Sequence, residues 1–210
     1  MEIQRIRCGN VNCYIVSNGK DAVLVDTGRE EYCQKVLNAC KSFHMHLLVL
    51  THGHIDHVQN AAFLANALHI PVAINQEDIP LLKDNMLQKL SSKGILGKIV
   101  LSASLKSFKK DRIPTIVPTI LLNDNDVLDS YGISAKVIAL PGHTKGSIGL
   151  DIDQRNLLVG DALMNMFYPA PSMLYNDKMA MVHSAEKISR LGNRTIYFGH
   201  GKPTHNRKWV

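Results

Sequence analysis

The chain has 210 residues, 45% hydrophobic and 20% charged, with 14 Gly, 8 Pro and no low-complexity tract; this excludes a largely disordered or fibrous protein and predicts one globular domain over 1–210. No apolar run approaches the length of a membrane span, and the start, Met1-Glu2-Ile3-Gln4-Arg5, lacks an apolar stretch followed by a cleavage site, so the expectation is a cytoplasmic protein without a membrane partner. The net charge of +6 allows an acidic partner, but the densest basic stretch, Lys106 to Arg112, is short and interrupted by Asp111, which fits a solvated face better than a nucleic-acid surface.

In chain order, Tyr14-Ile15-Val16 and Ala22 to Val25 flank the turn-forming Ser17-Asn18-Gly19-Lys20-Asp21 and predict a hairpin. The second run ends in Asp26-Thr27-Gly28, and a helix is expected from Glu30 to Cys40. Leu47 to Leu50 reads as a buried strand. A helix from Ile55 to Leu68 follows, with Val58, Ala61, Ala62, Ala65 and Leu68 at helical spacing, and then a strand from Pro71 to Ile74. Residues 76–118 predict a helical cap, because Ile79, Leu82, Met86, Leu87 and Leu90 keep a helical period. Strands alternating with helices argue for α/β layering. Cys8, Cys13, Cys33 and Cys40 have no zinc-knuckle or redox spacing and read as reduced thiols. No heptad or self-pairing strand specifies an oligomeric state.

The chemistry concentrates in Thr51-His52-Gly53-His54-Ile55-Asp56-His57, directly after the apolar run. His52 and His54 alternate in extended chain and therefore share a side, where both reach one ion. Gly53 between them allows a sharp turn, and Asp56 and His57 open the next helix, facing back toward the strand end. Imidazoles with a carboxylate suit zinc, and also iron or manganese.

The C-terminal half repeats one device. Val137 to Leu140 runs into Pro141-Gly142-His143, Asn156 to Val159 into Gly160-Asp161, and Thr195 to Phe198 into Gly199-His200. Each is an apolar strand, a glycine and a metal-competent side chain, so successive strand ends can aim at one small volume. With His52, His54, Asp56 and His57 this makes seven candidate ligands. That is too many for one zinc and suits two ions sharing a carboxylate, for which Asp161 is the candidate.

The motifs Asp26-Thr27-Gly28, Thr51 to His57, Pro141-Gly142-His143-Thr144, Gly160-Asp161 and Gly199-His200, in this order and over nearly the whole chain, resemble the metallo-β-lactamase superfamily, in its glyoxalase II-like hydrolase branch. The resemblance implies an α/β fold: a four-layer αββα sandwich with the metal site at one edge of the two sheets. It assigns His52, His54 and His143 to one metal and Asp56, His57 and His200 to the other, with Asp161 bridging. Asp26 matches a position that supports the ligand loops; it reads equally well as a turn residue.

Departures from related branches narrow the substrate. True β-lactamases of this fold have a cysteine in place of Asp161 or no bridging carboxylate, so antibiotic hydrolysis is not expected. With ten residues after His200, the helical C-terminal domain that helps hold glutathione in glyoxalase II is not expected. Quorum-quenching lactonases place a tyrosine where Met164 stands.

The implied function is hydrolysis of a small-molecule ester, thioester or lactone by a water deprotonated between two zinc ions, with Asp56 orienting that water and accepting its proton. Met164, Met166, Phe167, Tyr168, Met173 and Tyr175 follow Asp161 and read either as core or as an adaptable pocket wall. His44, His46, His69, His183 and His205 have no motif partners and read as structural or surface residues. The main rival is a mononuclear iron persulfide dioxygenase, whose ligand pattern is similar. A nucleic-acid phosphodiesterase and a non-catalytic metal-bearing scaffold are the further alternatives.

Overall fold

A computed structural model describes residues 1–210. Eleven strands make two sheets: β1 (Glu2–Cys8), β2 (Val11–Ser17), β3 (Asp21–Val25), β4 (His44–Val49), β5 (Val72–Ile74) and β6 (Ile120–Leu121) in one, β7 (Ala135–Ala139), β8 (Ile148–Ile152), β9 (Asn156–Leu158), β10 (Thr195–Tyr197) and β11 (Thr204–His205) in the other. Each sheet keeps its strands in sequence order. The first begins as an antiparallel meander, β1 to β3, and continues parallel from β3 to β6. In the second, only β9 and β10 run parallel. The helices are α1 (Cys33–Cys40), α2 (Ile55–Val58), α3 (Ala61–Leu68), α4 (Gly94–Lys110) and α5 (Lys178–Arg190).

Three apolar clusters divide the molecule into four layers. Ile15, Leu24, Leu48 and Leu50 pack against Val36 of α1 and Leu64 of α3. Val23, Val25, Leu47 and Val49 meet Val137, Leu150 and Ile152 between the sheets. Leu157, Val159 and Ile196 pack against Ala185 and Ile188 of α5. Neighbouring residues of β4 enter different clusters, Leu48 outward and Leu47 and Val49 inward, which is why this strand is apolar throughout rather than alternating. The fold is the αββα sandwich that the motifs implied.

The structure differs from the sequence expectations in four places. The helix expected over 55–68 is two helices, parted at Gln59 and Asn60. Asn60 turns its amide away from the helix to donate to the carbonyls of Thr27, Gly28 and Arg29, which fastens the Asp26 loop. The helix expected from Glu30 begins as a 3₁₀ turn, Glu30–Tyr32, and becomes α-helical at Cys33.

In the cap, the apolar residues from Ile79 to Leu90 lie in 3₁₀ turns and irregular chain, and the long helix is α4, further on. Pro80 removes a donor there, and buried Asp78 and Asn85 bond to the backbone of the ligand loop instead of facing solvent. Finally, strands β1, β6, β8 and β11 have no counterpart among the expected elements. β1 shows mostly polar residues to solvent and so lacks an apolar run.

No helix is long and apolar enough to cross a membrane.

Candidate metal centre

The two sheets deliver seven side chains to one edge. β4 leads into the loop carrying His52 and His54, α2 carries Asp56 and His57, the turn after β7 carries His143, and the loops after β9 and β10 carry Asp161 and His200. Six of the seven are buried, and Asp56 keeps a partly exposed carboxylate. Their ligand atoms form three groups, each within 4.8 Å: His52, His54 and His143; His52, His57 and Asp161; and Asp56, His57 and His200.

Asp161 stands between the sets. Its Oδ2 lies 3.3 Å from His200 Nε2 and 3.7 Å from His143 Nε2, and its Oδ1 lies 3.6 Å from His57 Nε2. Asp56 Oδ2 is 3.5 Å from His200 Nε2 and 4.0 Å from His57 Nε2.

The surroundings fix which nitrogen each imidazole presents. His57 Nδ1 donates to Asp26 Oδ2 at 2.8 Å, His143 Nδ1 to the Leu174 carbonyl at 2.9 Å, and His200 Nδ1 to the Asn10 carbonyl at 2.8 Å. His52 Nδ1 donates to Thr51 Oγ1 at 3.1 Å, whose own proton goes to Asp26. These outer bonds leave the Nε2 lone pairs pointing inward. His54 is reversed: its Nδ1 faces the cluster, 2.9 Å from His143 Nε2, and its ring stacks on Phe108 of α4.

Buried polar atoms without partners are rare in folded proteins. Here His52 Nε2, His57 Nε2 and Asp161 Oδ1 are buried with none, all inside this cluster. Together with the imidazole and carboxylate chemistry, these orphaned atoms fit divalent metal ions.

Asp26 is resolved in favour of a supporting role. Its Oδ1 accepts from the Thr51 backbone N–H and its Oδ2 from Thr51 Oγ1, each at 2.8 Å, so one carboxylate orients His57 and pins the start of the His52 loop. It reaches this position through a left-handed backbone, φ 58°. A second buried carboxylate, Asp78, went unnoticed in the sequence: it takes the Gly53 and Gly146 N–H groups and the Thr144 hydroxyl, tying the His54 and His143 loops together.

Gly53 serves close approach rather than a special turn. A Cβ there would stand 2.6 Å from Leu81 Cβ and 2.9 Å from the Asp78 carbonyl, while its φ is not left-handed. Gly199 is equally constrained, since a side chain would overlap Asp161 Oδ1 and come within 2.8 Å of His57 Cε1.

A cavity of about 260 Å³ opens over the cluster. His54, Asp56, His143, Asp161 and His200 form its polar floor, and Leu90, Ile99, Val100, Ala103 and Phe108 its apolar roof, with Arg29 at the side. Met164, Met166 and Leu174 complete the wall, whereas Phe167 and Tyr168 are exposed and stand outside it. The α4 contribution had no motif to announce it: apolar residues on a helix look alike whether they face a core or a ligand.

An αββα sandwich with histidine and aspartate clusters on one sheet edge defines the metallo-hydrolase class. The chain belongs to the metallo-beta-lactamase superfamily, whose family model matches residues 6–200. It is similar to a hydroxyacylglutathione hydrolase of Pelagibacter ubique, 30% identical over an alignment of 221 positions that covers all of this chain and 74% of that one. In fold it is similar to the BLEG-1 B3 metallo-beta-lactamase, TM-score 0.77 at 22% identity, covering 99% and 95% of the two chains. It is also similar to the protein TTHA1623, solved in a di-iron-bound form, TM-score 0.72 at 23% identity with both chains fully covered.

Proposed function

We propose that the protein hydrolyses a small-molecule ester, thioester or lactone at a dinuclear metal centre, with zinc as the working ion. His52, His54 and His143 would hold one ion, Asp56, His57 and His200 the other, and Asp161 both. The observation that carries this reading is the placement of Asp161, whose two oxygens face ligands of both sets at 3.3 to 3.7 Å. Two bound ions would supply a water that ionises near neutral pH and a Lewis acid for the substrate carbonyl.

The chain's own groups do the rest. Asp56, whose carboxylate is partly open to the cavity, orients the attacking water and takes up its proton. Asp26, Leu174 O and Asn10 O hold the imidazoles still, so the cluster pays little reorganisation during the reaction. The roof of Phe108, Val100, Ile99 and Leu90 excludes water from an apolar acyl group and limits its size. The relative named as a hydroxyacylglutathione hydrolase supports thioesters as the first substrates to try.

The test is a screen of thioesters, esters, lactones, β-lactams and phosphodiesters, with metal content measured on the same sample. Turnover of carbonyl substrates with two ions per catalytic centre supports the reading. A single iron with oxygen uptake on a persulfide overturns it in favour of a dioxygenase. Iron also fits these ligands, and the di-iron neighbour keeps it as the second choice of metal for the same hydrolysis.

A further inference from the structure

We propose that Asp21, His44 and His46 form a separate surface site for a divalent transition-metal ion, at the sheet edge opposite the catalytic centre. His44 and His46 looked like isolated surface residues in the sequence, but folding sets them beside Asp21. His46 Nε2 lies 2.8 Å and His44 Nδ1 3.1 Å from the same oxygen, Asp21 Oδ1, and the two rings stand 4.3 Å apart. All three ligand atoms lie within 4.8 Å of one another.

A β-bulge creates this arrangement. The register of β3 on β4 runs Asp21 to His44 and Ala22 to Met45, then jumps to Val23 against Leu47, so His46 is the extra residue. Above the bulge the strand alternates regularly, with Leu48 toward the helices and Leu47 and Val49 between the sheets. Continued without a break, that alternation would send His46 toward the helices and Met45 between the sheets. Met45 instead packs in the helix-side cluster. The bulge therefore turns His46 to the side of His44 and Asp21, the re-aiming of a side chain for which bulges are used.

The geometry suits an ion. Ligand atoms around a tetrahedral zinc at its usual bond lengths are ~3.4 Å apart, so the 3.1 Å and 2.8 Å distances to Asp21 need about 0.3 and 0.6 Å of opening. Two imidazoles and a carboxylate select zinc, nickel or copper over the alkaline-earth ions. The Asp21 carboxyl, held down at about 2 mainly by the bonds from His46 and His44, is ionised throughout the neutral range. The His44 side chain is 65% exposed, which leaves the remaining coordination positions to water.

The site is independent of catalysis. β3 and β4 both run from it to the catalytic edge, so five residues of strand, about 17 Å, separate Asp21 from the Asp26 loop. An ion there joins the first residues of two neighbouring parallel strands, and it raises the metal count of the protein above what the catalytic centre holds.

The experiment starts from zinc-loaded protein freed of excess metal. Further zinc is added in a calorimeter and, in parallel, under NMR observation of the histidine ring nitrogens. We expect one further saturable equivalent that shifts His44 and His46 together. In the His44→Ala, His46→Ala double variant that equivalent disappears while the catalytic metal and turnover remain. Asp21→Asn weakens it roughly tenfold or more. Absence of saturable uptake by the loaded wild-type protein overturns the proposal, and so does an equivalent that survives in the double variant. If the double variant fails to fold, unshifted His44 and His46 signals in the wild-type titration overturn it equally.

Discussion

The two halves of the catalytic cluster are built from opposite electrostatic materials. Around His52, His54 and His143 the imidazoles outweigh the carboxylates: burial, then the neighbouring rings, push His52 well below the ordinary histidine range and His54 down to about 3, against the weaker upward pull of Asp161 and, at His54, Asp56. Around His57 and His200 the carboxylates decide. Burial pulls His57 down, but Asp161, Asp26 and Asp56 outweigh it and hold its pKa up at about 10, and His200 is raised by Asp161 and Asp56 in the same way. In return, Asp161 is held well below the carboxylate range, because His200 and His57 overcome its burial. In the first half His52 and His54 thus keep neutral lone pairs ready for a cation. The second stores protons where a cation would sit, and must release them to bind one.

The sharpest way to break this contrast is to remove the group both halves share. Asp161→Ala should abolish two-ion loading and lower kcat/KM about a thousandfold, equivalent to ~4 kcal/mol of transition-state stabilisation; metal analysis alongside turnover checks it. Full activity with two bound ions would show that Asp161 bridges nothing.

Asp26→Asn tests the second half with less violence, since asparagine tolerates the left-handed backbone at this position. It should weaken the ion assigned to Asp56, His57 and His200 by roughly 10- to 100-fold, through the direct bond to His57, and the other ion less, through Thr51 alone. Stepwise metal titration separates the two affinities, and equal loss in both halves would erase the distinction.

The proton difference itself is measurable. In metal-free protein His57 is protonated at neutral pH, so loading the second half should release a proton and its affinity should rise with pH up to about 10. His52 and His54, held neutral below the ordinary histidine range, should contribute none. Calorimetry in buffers of different ionisation enthalpy reads both. The same shift has a stability sign: a folded-state pKa above the unfolded value stabilises metal-free protein below ~6.5, and that contribution is lost as pH rises toward about 10.

The smallest effect belongs to the roof. Phe108→Ala removes the ring stacked on His54, and should change KM for apolar acyl groups about three- to tenfold, corresponding to the ~0.5–1.5 kcal/mol of an aromatic pair. Steady-state kinetics on short and long acyl chains check it. A larger change in metal affinity than in KM would make Phe108 a positioning residue for His54 instead.

Much of the candidate site was legible because metal-competent side chains at strand ends follow local rules. The His52 to His57 cluster and the three strand–glycine–ligand turns are short, chemically distinctive patterns, and all seven side chains meet at one edge. The cap was read less well. Its apolar period through Leu90 imitates a helix, yet Pro80, Asp78 and Asn85 favour 3₁₀ turns tied to the ligand loop. The signal was present in Pro80, and the partners that outweighed the periodicity lie 25 to 32 residues away.

By itself the sequence determined the layered α/β class, the apolar strands and the candidate ligands, because strand hydrophobicity and imidazole–carboxylate chemistry are properties of short segments. Only the tertiary structure decided which nitrogen each histidine presents, that Asp26 and Asp78 brace the loops, that α4 roofs the cavity, and that His44 and His46 meet Asp21. Each of these depends on hydrogen bonds, packing or strand register between segments far apart in the chain, and no local pattern encodes such a partner.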